Sequence, residues 1–279
     1  MKRPLLGLCS ISAMDRPLVA VAELAVANGL DGIEATARAP HVDPDAPLDV
    51  HRTAARAIRD AGAHVLAYGS YLGRAEVAGA GAVDLPAAER AVQIADALGA
   101  PLLRVWAEPL PDRADGGHAD VVTLLRAACD AAVPRGIDVV VERHIGSFAD
   151  TPERIDRLFA AVDRPNFALN YQVLDLLPQT QAAAQPEDAR RLVPRARYYH
   201  LKNVQPAKDG AGPMPPGAAL GRGVLDYRAI LAAAFAAGYA GPLTIEFLSW
   251  EPKSVDEKVA EDAAWLRELI DTLCGGKAS

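Results

Sequence analysis

Four polar side chains close apolar runs in the second half of this sequence. Glu142 and Glu246 each end a run of aliphatic residues, and Asn170 and His200 end two runs between them. Gln172 follows Asn170 closely enough to take its place. Carboxylate and amide oxygens with one imidazole suit Mg²⁺ or Mn²⁺, with Co²⁺ as an alternative, better than a structural zinc ion. If these runs are neighbouring parallel strands, the sequence predicts a divalent metal site where their carboxyl ends meet.

Other polar or aromatic residues near the ends of apolar runs are candidates for contact with a substrate. These are Glu34, Tyr68, Arg104, Trp106, His144 and Lys202. A structural role is open for each, because Arg104 can neutralise a nearby carboxylate and Glu142 can pair with Arg143. The strand-end carboxylate recurs at Glu246, however, and a buried ion pair seldom stabilises a protein. The repetition therefore favours a functional role for these residues.

The elements that must position these side chains follow from hydrophobic periodicity. Short runs rich in Val, Ile and Leu alternate with longer Ala-rich segments of helical spacing. Eight strands are predicted, at Leu5–Cys9, Gly32–Thr36, His64–Tyr68, Leu102–Ala107, Asp138–Glu142, Phe167–Asn170, Tyr198–Lys202 and Leu243–Phe247. No Gly-x-Gly-x-x-Gly turn follows an early strand, so an open dinucleotide-binding sheet is disfavoured. The sequence predicts an α/β fold, a single (β/α)₈ TIM barrel over residues 1–279.

A segment without periodicity, Val204–Gly223, follows the seventh predicted strand and is rich in Pro, Gly and Ala. Barrel enzymes often build substrate sites there, so we expect a loop over the mouth of the barrel with Arg222 turned toward the substrate. Pro213, Pro215 and Pro216 would stiffen this loop. The alternatives are a surface insertion, and an Arg222 that merely pairs with Asp226.

Composition and charge restrict the partners. The chain has 279 residues, 51% of them hydrophobic, and a formal net charge of −7. Nucleic-acid binding is disfavoured because it normally relies on an excess of basic residues. No apolar run approaches the roughly 20 residues of a membrane span. The three cysteines are far apart and odd in number, which indicates reduced thiols in a cytoplasm. We therefore expect a cytoplasmic protein with a small-molecule partner, and a homo-oligomer stays open.

Several segments resemble the xylose isomerase-like (β/α)₈ barrels, the sugar phosphate isomerase/epimerase superfamily. They are GIE at 32–34, VERH at 141–144 with TPE at 151–153, YHLKN at 199–203, and the run from LGRGVLDY at 220–227 to GYAGPLTIE at 238–246. The resemblance covers nearly the whole chain, and the last run is its most specific part. It implies the same barrel that the periodicity predicts.

The resemblance also implies one divalent metal ion, Mg²⁺ or Mn²⁺ with Co²⁺ or Zn²⁺ as alternatives, bound by Glu142, Asn170, His200 and Glu246. Family members usually have Asp where this chain has Asn170, so one negative charge is missing and weaker metal binding is expected. Gln172 is the second choice for this ligand. His144 and Lys202 match family positions that surround the metal or contact the substrate.

The activity implied is that of a sugar or polyol isomerase or epimerase, in which Glu142 and Glu246 move a proton next to a carbonyl through an enediolate. Loss of a neighbouring hydroxyl would instead make the protein a dehydratase that resembles inosose dehydratase. A barrel that has lost metal binding through Asn170 is a further alternative. The related DNA-repair endonucleases are disfavoured, because Tyr68 and Ser70 stand where metal ligands are needed.

Overall fold

The structure, a computed structural model, describes residues 2–74, 84–110, 114–173, 182–206 and 216–275. Its strands are β1 (Leu6–Cys9), β2 (Gly32–Thr36), β3 (His64–Gly69), β4 (Leu102–Val105), β5 (Asp138–Glu142), β6 (Phe167–Tyr171), β7 (Ala196–Leu201), β8 (Asn203–Val204), β9 (Gly217–Ala218) and β10 (Leu243–Ile245). Eight of them close into a barrel in the order β1-β10-β7-β6-β5-β4-β3-β2, with every neighbouring pair parallel. The predicted (β/α)₈ barrel is confirmed.

Helices follow the strands along the chain. They are α1 (Leu18–Ala27), α2 (Leu48–Asp60), α3 (Leu85–Leu98), α4 (His118–Ala132), α5 (Pro152–Val162), α6 (Gln185–Leu192), α7 (Tyr227–Ala236) and α8 (Val255–Gly275). The sequence did not predict α6, because this helix has only eight residues and only Gln185, Ala189 and Leu192 of it are buried. Within the described residues, no helix has both the length and the apolar character that a membrane span needs.

Local signals fix where several helices begin and end. The carboxylates of Asp84 and Asp226 and the hydroxyl of Thr151 accept hydrogen bonds from backbone N–H groups in the first turns of α3, α7 and α5. Helix α3 ends at Gly99, whose φ of 67° is left-handed. Strand β10 is shorter than predicted because Phe247 also has a left-handed φ, of 53°, which a strand cannot include.

Side chains inside the barrel form layers. An apolar layer comprises Ala67, Leu102, Val140, Ala168 and Tyr198. Because side chains alternate between the two faces of a strand, residues two positions further along point inward again, one layer nearer the carboxyl ends. These residues are Gly69, Arg104, Glu142, Asn170 and His200. The strands therefore gather polar groups at one end of the barrel, which we call the mouth.

The segment after β7 is a hairpin-like connection in its described parts. Strands β8 and β9 pair antiparallel, with Asn203 opposite Ala218. Residues 207–215, and with them Pro213 and Pro215, lie outside the described residues. Gly223 is required by close approach, since an added Cβ would lie 2.0 Å from the Asn203 side-chain oxygen.

The end of this segment is tied to the last helix by a buried carboxylate. Asp262 of α8 accepts a hydrogen bond of 2.8 Å from the backbone N–H of Leu220. Burial raises the pKa of Asp262 to about 6, although this hydrogen bond acts in the opposite direction. The ionised carboxylate is therefore less stable in the folded protein than in the unfolded chain.

We expect Asp262→Asn to stabilise the protein at neutral pH. An unfolded Asp has a pKa near 3.9, so between about pH 4 and 6 the folded protein binds more protons and loses stability as the pH rises. The amide oxygen of Asn can still accept the hydrogen bond from Leu220. The melting temperature of the variant should exceed that of the wild type by roughly 2–4 °C at about pH 7.5. The two should converge near pH 4, and a difference independent of pH would contradict this explanation.

Candidate functional site

Six inward-facing polar side chains form the base of the mouth. We call this group the polar floor, and it comprises Glu34, Arg104, Glu142, Asn170, His200 and Glu246, each at most 4% exposed. They come from β2, β4, β5, β6, β7 and the residue that follows β10. Buried charges require partners, so the contacts within the floor decide which atoms remain available for chemistry.

His200 joins three of these side chains. Its Nε2 lies 2.6 Å from Oε2 of Glu34, and its Nδ1 lies 3.4 Å from Oε1 of Glu246 and 3.2 Å from Nδ2 of Asn170. Burial alone would lower the pKa of His200, but the carboxylates of Glu246 and Glu34 outweigh it and raise this pKa. Burial likewise opposes ionisation of Glu34, yet His200 and Arg104 lower its pKa to about 2. Glu34 is therefore a fixed anion that orients the imidazole.

Arg104 bridges two carboxylates. Its Nη2 lies 3.2 Å from Oε1 of Glu34, and its Nη1 lies 3.0 Å from Oε2 of Glu142. Gln172 donates from Nε2 to Oε1 of Glu142, at 2.7 Å, and so fixes the other side of that carboxylate. The guanidinium thus lies between the two glutamates at the base of the mouth.

The two glutamates at the centre of the mouth have different environments. Lys202 Nζ lies 3.1 Å from Oε2 of Glu246. Burial favours the neutral form of Glu246, but Lys202 and His200 outweigh it and lower its pKa. For Glu142, burial and the nearby charge of Glu246 raise the pKa, with Arg104 acting in the opposite direction.

The donor atoms here suit a divalent metal ion. Ligand atoms of Glu142, His200 and Glu246 all lie within 4.8 Å of one another. Oδ1 of Asn170 is buried and accepts no hydrogen bond from any described residue, so an oxygen donor is available beside them. The contact of His200 Nε2 with Glu34 leaves Nδ1 facing the group, in the arrangement usual for metal-binding histidines. The residues predicted as ligands are thus brought together.

A pocket of about 620 Å³ opens above the polar floor. Its walls include the predicted residues Trp106 and His144, whose rings lie 4.9 Å apart edge to face. Arg104, Lys202, Glu142 and Glu246 reach it from below. Glu34 and Asn170 are fully buried beneath them.

Two predicted site residues lie elsewhere. Tyr68 packs in the main core outside the barrel and is 1% exposed, because its neighbour Gly69 faces inward and adjacent strand residues face opposite sides. Arg222 does not line the mouth: its guanidinium is half exposed and pairs with Glu251, at 2.9 Å, and with Glu261. The expectation that Arg222 faces the substrate is therefore wrong, and so is its alternative partner, because the Asp226 carboxylate caps α7.

Sequence reasoning missed several residues of the mouth. Arg38, Arg74 and Lys258 line the pocket, and Gly69 lies at the end of β3 against the polar floor. Gly69 could have been found by counting two residues on from the inward-facing Ala67. The three cations lie in loops or on a helix, where no strand periodicity marks the direction of a side chain.

Gly69 makes room for the pair formed by Glu34 and Arg104. An added Cβ would lie 2.3 Å from Oε1 of Glu34 and 2.7 Å from Nη2 of Arg104. Both contacts are shorter than van der Waals packing allows, so any side chain at this position displaces the ion pair.

Comparison with known proteins agrees with the barrel fold of this chain. A family model described as xylose isomerase-like TIM barrel matches residues 22–269. The inosose dehydratase of Geobacillus thermodenitrificans (strain NG80-2) is 28% identical over 162 residues, which are 52% of this chain and 51% of that protein. The 3-dehydroshikimate dehydratase of Bacillus anthracis is 30% identical over 89 residues, 32% of this chain and 31% of that protein. The chain thus spans about half the length of one curated relative and a third of the other.

Among solved structures, a xylose isomerase-like TIM barrel protein from Mycobacterium smegmatis in complex with magnesium superposes with a TM-score of 0.74. It is 17% identical, and the match covers 97% of each chain. At this identity the similarity shows the fold, which agrees with the barrel described above.

We expect Gly69→Ala to destabilise the protein by about 1–3 kcal/mol, because the added methyl group must displace the buried contacts of Glu34 and Arg104. Urea unfolding curves would measure the change. Gly275→Ala is the matched control, since an added Cβ there has no atom within 4 Å. Equal urea midpoints for Gly69→Ala and the wild type would contradict this prediction, because they would show that the polar floor accommodates the methyl group with no loss of stability.

Proposed function

Because the chain belongs to the xylose isomerase-like TIM barrel family, we propose that it is an enzyme that removes a proton from the carbon next to a carbonyl group in a small polyhydroxylated molecule. The observation that carries this proposal is the convergence of Glu142 and Glu246 on the base of one pocket, from β5 and from the end of β10, which β6 and β7 separate. Two such groups beside one carbon can remove a proton and return one, or remove a proton while the other protonates a leaving hydroxyl group.

Glu142 and Glu246 are the acid and base of this proposal. One carboxylate accepts the proton from the α-carbon, and the electron pair of the broken C–H bond moves to give an enediolate. The other carboxyl group then supplies a proton. Both side chains are almost fully buried, at 2% and 4% exposure, so neighbouring protein groups rather than bulk water set their proton affinities.

Arg104 and Lys202 would stabilise the negative charge that develops on the substrate oxygens. Each is held by a carboxylate of the floor, at 3.0 Å for Arg104 with Glu142 and 3.1 Å for Lys202 with Glu246. Both also line the pocket. Cations already fixed in position stabilise a transition state without reorganising during the reaction.

A divalent metal ion fits the same site, with Glu142, Asn170, His200 and Glu246 as the residues that would hold it. When bound, such an ion polarises a carbonyl and an adjacent hydroxyl group of the substrate. The oxygen-rich donor set suits Mg²⁺ or Mn²⁺. The magnesium complex of the similar barrel from Mycobacterium smegmatis supports this proposal.

Within this chemistry, we propose dehydration as the first candidate for the overall reaction. The two curated relatives are dehydratases, one of an inosose and one of 3-dehydroshikimate. In a dehydration, the proton from the α-carbon goes to one glutamate, and the β-hydroxyl leaves as water with a proton from the other. Isomerisation or epimerisation is the second candidate, because a facing pair of glutamates can equally return the proton to a carbon.

The acid–base pair is tested with Glu142→Gln and Glu246→Gln. We expect each variant to keep the fold and to lose on the order of 10²-fold or more in turnover, because an amide cannot accept the proton. Nuclear magnetic resonance would follow exchange of substrate protons in D₂O with added Mn²⁺, across ketoses, inososes and 3-dehydroshikimate. Mass spectrometry of the products separates loss of water from isomerisation.

Glu268→Gln on the exposed face of α8 is the control for this experiment. It removes the same charge far from the pocket and should leave exchange unchanged. Near-normal exchange in both floor variants, on a substrate that the wild type turns over, would contradict the assigned roles.

Metal binding is tested through Asn170. Because a carboxylate adds a negative charge to the ligand set, Asn170→Asp should bind Mn²⁺ about tenfold more tightly than the wild type, or better. Isothermal titration calorimetry measures this without any substrate. If neither protein binds Mn²⁺, the metal site is wrong and a barrel without metal-dependent activity is favoured.

A further inference from the structure

The pocket above the polar floor carries an excess of positive charge. Its lining contains five permanent cations, Arg38, Arg74, Arg104, Lys202 and Lys258, against the two carboxylates of Glu142 and Glu246. The whole chain has a net charge of −7, so the mouth has the opposite sign to the protein around it. A concave cationic surface with low-dielectric walls attracts anions.

Three of these cations have partners. Arg104 and Lys202 contact the glutamates of the floor. Arg74 lies 3.5 Å from Glu108 and places its guanidinium 4.3 Å from the centre of the Trp106 ring. Their charges are therefore partly compensated within the protein.

Arg38 and Lys258 differ from these three. Across the part of the chain that the structure describes, no carboxylate lies within ion-pair distance of either side chain. Carboxylates near Lys258 on α8 are engaged elsewhere, since Asp256 pairs with Arg16 at 2.8 Å and Glu261 pairs with Lys253 at 2.7 Å. Among the described residues, these two cations thus line the pocket without a carboxylate partner.

The fold places these two residues on the same side of the mouth. Strand β1 lies between β2 and β10 in the barrel. Arg38 follows β2, and Lys258 lies in the helix that follows β10, so the two flank β1. The 3₁₀ helix that follows β1, Ser10–Ala13, contributes Ile11 and Ser12 to the same pocket wall.

We propose that Arg38 and Lys258 form a subsite for an oxyanion, a carboxylate or a phosphate, on the molecule that binds in this pocket. The inference rests on the proposed function only in placing the reacting carbon of that molecule over Glu142 and Glu246. Oxyanions are the groups that a guanidinium and an ammonium bind most strongly, through charge-assisted hydrogen bonds. The substrate is accordingly an anionic polyhydroxylated carbonyl compound rather than a neutral sugar.

Binding of matched probes tests the subsite. The probes are three polyhydroxylated six-membered rings. Myo-inositol carries no charge, quinate carries a carboxylate, and myo-inositol 1-phosphate carries a phosphate. At low ionic strength, the wild type should bind at least one of the two anions about tenfold more tightly than myo-inositol, measured by calorimetry. Which anion is preferred identifies the oxyanion.

The double variant Arg38→Gln/Lys258→Gln should lose this preference and bind myo-inositol as the wild type does. The double variant Lys2→Gln/Arg59→Gln removes the same charge from exposed positions before β1 and β3, at the opposite end of the barrel, and should keep it. Any of three results would overturn the proposal. The wild type binds all three probes equally, it binds neither anion, or the Arg38/Lys258 variant keeps the preference for the anion.

This outcome is separable from that of the proposed reaction, because the probes are not turned over and only binding is measured. If Glu142→Gln loses proton exchange but still binds the anion, the result tests the proposed reaction alone. If the Arg38/Lys258 variant loses the preference for the anion, the result tests the subsite alone.

Discussion

The mouth of this barrel depends on two ion pairs, which the buried guanidinium of Arg104 makes with Glu34 and Glu142. Three glutamates enter one enclosed volume, and without a permanent cation among them their mutual repulsion would keep some protonated. Arg104 remains charged in any environment, so it can hold two of the three carboxylates in fixed positions. The absence of a side chain at Gly69 gives the pair its space.

The other contacts of the floor follow from this arrangement. Glu34 is fully buried and holds His200 by one ring nitrogen, which directs the other nitrogen toward Glu246. Lys202 balances Glu246 from the pocket side. Glu142 and Glu246 thereby face the same volume with different neighbours, which suits the acid and base roles proposed for them.

The proposals assign two electrostatic roles to the cations of the mouth. Cations beside the floor would compensate charge that the proposed reaction creates, whereas Arg38 and Lys258, which line the same pocket, would bind charge that a ligand brings with it. An acidic protein with a cationic pocket concentrates anions there and repels them elsewhere, which favours their approach to the mouth over other surfaces. Helices and loops supply the rim and strands supply the floor, so substrate preference can change without disturbing the barrel.

The sequence alone determined the barrel and the residues of the polar floor, because an apolar run that ends near a polar residue indicates both a strand and the position of its carboxyl end. Glu34, Arg104, Glu142, Asn170, His200 and Glu246 were all found in this way. Tyr68 was misplaced because a shift of one residue reverses the face of a strand, and the tertiary structure shows Gly69 inward instead. Only the folded chain reveals that Arg222 pairs with Glu251 and that Arg38 and Lys258 line one pocket, since the relative placement of separate loops and helices leaves no periodic signal in the sequence.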